Sequence, residues 1–138
     1  MNALLCIAMA VYFEARGEPI QGQVAVAQVV ENRIASDRYP DDACSVVKQG
    51  KYVSWLEYPL RYECQFSFWC DGLPEDVTDT TAWGQAWIVT LANEFGLYPD
   101  YVGGATHYHA DDIDMPFWAE RELITITIDK HIFYRGVR

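Results

Sequence analysis

The chain has 138 residues and a formal net charge of −10. So acidic a protein lacks the Lys and Arg needed to displace counterions from phosphate, which excludes nucleic acid as its partner and argues against an anionic membrane surface. With 51% hydrophobic and 22% charged residues it reads as one ordinary globular domain over 1–138, long enough to bury a real core. Aromatic residues make up 14% of the chain, which suits flat sugar-binding surfaces as well as a core.

In chain order, the first predicted element is a helix from Asn2 to Arg16, with Leu4, Leu5, Ala8, Met9, Val11 and Tyr12 forming a broad apolar face. Gly17 and Pro19 end it. The apolar start, Met1 to Val11, has no Lys or Arg ahead of it and no cleavage pattern, so it reads as a structural helix rather than a signal peptide. No stretch approaches the ~20 apolar residues of a membrane span. With no visible export signal, release from a host cytoplasm by a phage holin-type partner is one expected delivery route. A second helix is expected from about Gln21 to Ser36, with Val24, Ala27, Val30 and Ile34 on one stripe. Asp37 to Asp42 is a polar turn around Pro40.

A third long helix starts near Asp79 to Thr81, where Asp or Thr can cap free N–H groups, and stops at Gly96. Trp83, Trp87, Leu91 and Phe95 follow helical spacing, so the two tryptophans read as core. The last third changes character. Ala105 to Ala110 reads as a strand, and Leu123 to Ile128 alternates apolar and polar residues with the strand period. Asp129-Lys130 then turns the chain into His131-Ile132-Phe133-Tyr134. Helices first and a small antiparallel sheet last give an α+β fold. No repeat, linker or second, wall-binding domain is visible.

Four cysteines, Cys6, Cys44, Cys64 and Cys70, allow three fully paired connectivities. Cys6, inside an apolar helix, reads as a buried free thiol. A disulfide among Cys44, Cys64 and Cys70 fits a protein working outside the cytoplasm. Their spacing lacks the close pairs of structural zinc sites.

Several residue types can carry chemistry. Glu14 follows Val11, Tyr12 and Phe13 and precedes Ala15. Apolar surroundings disfavour a charged carboxylate, and a carboxyl that keeps its proton near neutral pH is what general-acid cleavage of a glycoside needs. On spacing alone, a surface partner of Arg16 or Arg33 is the favoured reading of Glu14, because lone glutamates on helices are common. Glu18 is a possible second acid, although Gly17 separates it from the first helix; it also reads as a first-turn acid of the second helix. His107 and His109 lie two apart and share one side of a strand, with Tyr108 on the other. Together with His131 they allow either a three-histidine zinc site, as in an amidase, or a polar cleft. The spacing is not that of a zincin helix, and the cleft is preferred. Asp111, Asp112 and Asp114 read as a solvated turn. If Gln65 to Trp69 is extended, Gln65, Ser67 and Trp69 share one face as a sugar subsite; a loop packed on the core is the equal alternative.

The blocks Glu14-Ala15-Arg16-Gly17-Glu18-Pro19, Gly22 to Ala27, Val29-Val30 and Asn32-Arg33 resemble the signature of the SleB-type cell-wall hydrolases, the spore cortex-lytic family that includes phage endolysins. The likeness continues at Cys64-Gln65-Phe66-Ser67 with Cys70-Asp71-Gly72, at Gly104 to Ala110, at Pro116 and Trp118, and at His131 to Tyr134. It implies a lysozyme- or lytic-transglycosylase-like fold, Glu14 as the catalytic residue, and peptidoglycan glycan strands as substrate. It implies no obligatory metal or cofactor. Gln65, Ser67, Trp69, Tyr108, His109, His131 and Tyr134 are then the expected substrate-binding residues. The chain departs from the spore enzymes in lacking a wall-binding repeat and in carrying an extra stretch, Lys51 to Glu63. A transglycosylase needs one acid, which serves twice. A hydrolysing muramidase needs a second, for which Glu18 or Asp71 are the candidates, and a glycan-binding module needs none. A monomer acting at the cell wall or in the periplasm is expected, without stable membrane insertion.

Overall fold

A computed structural model of the protein describes residues 2–50, 65–70 and 76–138. The extra stretch before the cysteine block, Cys64 and Asp71 lie outside the described residues.

Helix α1, Ala3–Ala15, begins where the Asn2 side chain accepts hydrogen bonds from the N–H groups of Leu4 and Leu5. It ends because Gly17 adopts φ +85°, a left-handed conformation that a side chain resists. Helix α2, Ile20–Ile34, is the centre of the molecule. Val24, Val26, Ala27 and Val30 enter a core shared with α1, while Ala25 and Val29 enter a second cluster with Phe133 and Ile128 of the sheet. The expected apolar stripe is therefore real but incomplete, since a helix packed on several sides is apolar on several sides. Helix α3, Ala43–Val47, is capped by Asp42. Helix α4, Thr80–Glu94, is capped by Asp79, whose side chain accepts from Ala82 N at 3.0 Å.

The α4 stripe differs from expectation. Ala86, Val89 and Thr90 face the core, whereas Leu91 and Phe95 are exposed. Trp83 packs partly buried against the core and edge-on to Tyr12 and Trp87, with ring centroids 5.6 and 5.9 Å apart. Small residues let α4 approach α1 and α2 closely, and the larger apolar side chains are left outside.

Strands β1 (His107–Ala110), β2 (Ile124–Ile128) and β3 (His131–Tyr134) form an antiparallel sheet in the order β1-β3-β2. A register shift between Ile124 and Ile126 breaks the simple alternation of β2. Ile128 stays buried, while Ile124 is turned out and exposed, because a bulge re-aims the side chains beyond it. Polar side chains of α2 hold the approach to β1. Gln28 donates to Pro99 O at 2.8 Å and accepts from Tyr101 N at 3.0 Å, and Asn32 donates to Ala105 O at 2.9 Å. Cys6 and Cys44 form a disulfide that joins α1 to α3, with Cα atoms 5.1 Å apart. This corrects the reading of Cys6 as a free thiol. Apolar neighbours on one helix do not reveal that a second cysteine, 38 residues away, packs onto it. Cys70 is disulfide-bonded as well. Among the described residues no helix is long and apolar enough to cross a membrane.

Candidate active site

Glu14 sits in the last turn of α1, partly buried, and faces a cleft of about 360 Å³. Three other parts of the chain complete the cleft. Arg33 comes from the end of α2, Gln65 and Phe66 from the aromatic turn, and Tyr108, His109 and His131 from the sheet. The loop after β1 adds Ile113, Pro116 and Trp118.

The end of α1 is fixed from both sides. The Tyr12 hydroxyl accepts from Thr78 N at 3.2 Å and Asp79 N at 3.1 Å, which ties α1 to the start of α4. Arg16 donates to the same hydroxyl, so the helix-end arginine is occupied with Tyr12. Phe13 stacks on Phe68 at 4.9 Å, with 14° between the ring planes. Glu14 therefore stands between two anchored aromatic residues and the helix stop.

Tyr108 reaches Glu14 across the cleft, and its hydroxyl is hydrogen-bonded to the Glu14 side chain. Burial pushes the phenol well above its ordinary pKa, the Glu14 carboxylate adds to the rise, and Arg33 opposes it. The hydroxyl thus stays neutral and donates to the Glu14 carboxyl group. Arg33 is only 4% exposed. Its Nε donates to Thr106 O at 2.7 Å, one terminal nitrogen lies 3.4 Å from Gln65 Oε1, and the guanidinium rests over the rings of Tyr39 and Phe66 at 4.9 and 5.4 Å. Burial lowers its pKa, partly offset by Tyr39 and Tyr108. A cation held this way supplies fixed positive charge beside Glu14.

Register separates the three histidines. His107 and His109 are paired with Tyr134 and Ile132, whereas His131 is paired with Ala110. Directly paired residues share a face, so His131 lies on the Tyr108 side and His107 and His109 on the other. His109 is buried with both ring nitrogens engaged. Nδ1 is 2.8 Å from Ala110 O and Nε2 is 2.7 Å from the Tyr134 hydroxyl. The carbonyl can only accept, so Nδ1 carries the proton and Nε2 accepts from Tyr134. A nitrogen pair so occupied has no lone pair for zinc, and among the described residues no group of His, Cys, Asp and Glu could hold a metal ion. His107 points away from the cleft, towards the Thr106 hydroxyl at 3.0 Å and the Tyr39 hydroxyl at 3.4 Å. Burial, then the Arg33 and Arg38 charges, push its pKa down to about 4.

Two further expectations change. Residues Ser67–Cys70 form a 3-10 turn, so the two-residue alternation that would have grouped Gln65, Ser67 and Trp69 on one face does not apply. Gln65 still reaches the cleft, but Trp69 is buried in the core beneath Lys48, whose ammonium lies 5.0 Å from the ring centroid. Tyr134 is fully buried and meets the cleft only indirectly, through His109 and Trp118. Glu18 lies behind the cleft rather than in it, with Oε1 3.9 Å from His131 Nδ1. Burial raises its pKa, and a hydrogen bond shared with Asp129 raises it further. Arg33, expected as a surface partner and as part of the family likeness, is instead buried in the cleft wall. Its sequence signal was a charge falling in phase with the apolar positions Val26 and Val30 of α2. Trp118 had appeared only in the family likeness; its ring covers His107, His109 and Tyr134 at 4.9, 5.8 and 5.2 Å.

A family model described as Cell Wall Hydrolase matches residues 17–134. The chain belongs to the cell wall hydrolase family. The span matched by the cell wall hydrolase model begins at Gly17, just past Glu14. The spore cortex-lytic enzyme of Halalkalibacterium halodurans is 36% identical over 132 residues, which is 96% of this chain and 34% of that protein. That of Oceanobacillus iheyensis is 52% identical over 63 residues, 41% of this chain and 23% of that protein. This cell wall hydrolase chain thus spans about a third or less of the curated relatives it matches. Among solved structures, the catalytic domain of the germination-specific lytic transglycosylase SleB from Bacillus anthracis superposes with a TM-score of 0.70 at 28% identity, covering 98% of this chain and 95% of that one. The catalytic domain of Bacillus cereus SleB gives 0.64 at 28% identity, covering 97% and 90%. The α+β fold expected from sequence is the fold of these domains.

Proposed function

We propose that the chain is a peptidoglycan lytic transglycosylase that cleaves between N-acetylmuramic acid and N-acetylglucosamine, with Glu14 as its acid and base. The observation that carries this reading is that Glu14 is the one carboxylate lining the cleft among the described residues. The likeness to the SleB catalytic domains supports it.

Glu14 gives its proton to the glycosidic oxygen as that bond breaks towards an oxocarbenium-like state. The resulting carboxylate then takes the proton of the muramyl 6-hydroxyl, whose oxygen attacks the anomeric carbon and closes a 1,6-anhydro ring. Glu14 ends protonated and ready for the next cycle, and no water or second carboxylate enters. Tyr108 holds the Glu14 carboxyl in place through its hydrogen bond. Arg33 supports the carboxylate form between the two steps, since a buried positive charge stabilises a nearby anion. Gln65 and His131 face the cleft with polar groups for hydroxyl or N-acetyl contacts, while Phe66 and Trp118 give apolar walls for sugar rings. The substrate is the glycan strand of the wall, and the chain acts on it as a monomer.

Mass spectrometry of digested sacculi tests the outcome. Anhydromuramyl ends are expected; reducing ends that have gained water would instead make the enzyme a hydrolysing muramidase. Turbidity clearing by wild type, lost in Glu14→Gln, distinguishes either enzyme from a glycan-binding module, which would bind sacculi and clear none.

A further inference from the structure

We infer that the loop after β1 is a second glycan-binding platform, on which Ile113, Met115 and above all Phe117 hold the strand beyond the cleft. This rests on the reading of the cleft as a glycan site.

Phe117 is 100% exposed, and Ile113 and Met115 are 52% and 48% exposed. Three large apolar side chains spaced two apart in one short loop are costly to leave in water, and such patches mark ligand or partner surfaces. The loop is also anchored. At one end Asp111 N donates to Lys130 O at 2.8 Å. At the other, the Trp118 ring is wedged against His107 and Tyr134, beside a local turn in which Ala119 N donates to Pro116 O at 3.0 Å. An anchored backbone leaves less of the loop to be ordered on binding.

The occupant follows from continuity. Ile113, Pro116 and Trp118 already line the cleft that holds Glu14, so the patch extends the cleft wall outwards. At about 360 Å³ the cleft lies at the small end of the ~300–1,000 Å³ usual for ligand sites. A polymer threaded through it must continue over the rim. The apolar faces of its sugar rings match an exposed phenyl ring, and uncharged hydroxyls tolerate the neighbouring Asp112 and Asp114. A second exposed apolar group among the described residues, Ile88, Leu91, Phe95 and Leu97 on and after α4, does not line the cleft and provides a control.

Co-sedimentation with purified sacculi, in a Glu14→Gln background that cannot cut them, measures the platform directly. Phe117→Ala should weaken binding about tenfold, equivalent to about 1.4 kcal/mol. Phe95→Ala, 77% exposed on the control surface, should leave binding unchanged. Phe117→Ala should also leave the affinity for a soluble peptidoglycan disaccharide unchanged, because that fragment is short enough to stay within the cleft. Full exposure of Phe117 means that its loss does not perturb folding. Unchanged sacculus binding in Phe117→Ala overturns the inference. Equal weakening by Phe95→Ala does so too, by showing general apolar adhesion, as does equal weakening on the disaccharide. Full clearing by Glu14→Gln would instead sink the proposed acid, a failure distinct from that of the platform, which is then read from sacculus binding on ice, before clearing sets in.

Discussion

The two faces of one small sheet do different work. The face towards α2 carries Tyr108, Phe133, Ile126 and Ile128, joined to Ala25 and Val29 in an apolar cluster, with His131 at its rim. From it Tyr108 reaches Glu14. The opposite face carries His107, His109 and Tyr134 beneath Trp118. There the polar groups satisfy one another, in the chain Tyr134 hydroxyl to His109 to Ala110 carbonyl. Neighbouring residues of β1 thus differ in role because a strand sends them to opposite sides. One side meets Glu14, and the other fixes the strand and the loop that forms the cleft rim.

Substitutions can break this division, and the largest effect belongs at the acid. Glu14→Gln should lower sacculus clearing by about 10²–10⁴-fold, the usual contribution of general acid–base catalysis, with the circular dichroism spectrum unchanged. A smaller loss, on the order of tenfold or less, would mean that chemistry does not centre on the helix-facing side. Next comes the support beneath that side. Replacing Cys6 and Cys44 by Ser opens a link spanning 38 residues and should cost about 3–4 kcal/mol in denaturant unfolding.

A matched pair sharpens the contrast between the faces. Tyr108→Phe keeps the ring and removes the donor to Glu14, so kcat should fall about tenfold while KM and the melting temperature stay close to wild type. Tyr134→Phe removes the buried bond to His109 and should cost about 1–2 kcal/mol of stability, with kcat near wild type. If Tyr134→Phe costs activity and Tyr108→Phe costs only stability, the assignment of the faces is reversed.

The smallest effect is a pH dependence. The His107 pKa is lowered from its ordinary 6.5 to about 4, so the unfolded chain takes up the proton first as the pH falls. Stability is therefore fully present above about 6.5 and declines as the pH drops from there to about 4. His131, lowered by burial against the pull of Asp111, Asp129 and Asp112, acts in the same direction. Glu18, raised by burial and Asp129, acts oppositely, since its share is lost as the pH rises. Melting temperatures of wild type and His107→Phe between pH 7 and 4 should converge towards the acid end, and parallel curves would refute the assignment.

Much of the chain was legible as sequence because it depends on near neighbours. The Asp79 cap, the stop at Gly17 and the hairpin at Asp129-Lys130 follow from single residues, and the β3 strand covers His131–Tyr134, the segment expected to follow that turn. Glu14 was legible as a candidate because its apolar neighbours and the motif around it are contiguous. The α4 stripe was misread because periodicity shows that a helix has an apolar face without showing which face meets small residues. Trp69 was misread because alternation has meaning only in extended chain, and the segment winds into a 3-10 turn.

Sequence by itself thus determined the order of the three long helices and the three strands, the candidate acid, and the kinship of the chain, since all three reside in contiguous residues and their spacing. Only the tertiary structure decided which groups meet. It brought Tyr108 to Glu14, set the buried Arg33 beside them, and joined Cys6 to Cys44. It also parted His131 from His107 and His109, because the pairing of β1 with β3 assigns each side chain to a face, and that register is fixed by packing against α2 and Trp118 rather than by the strands alone.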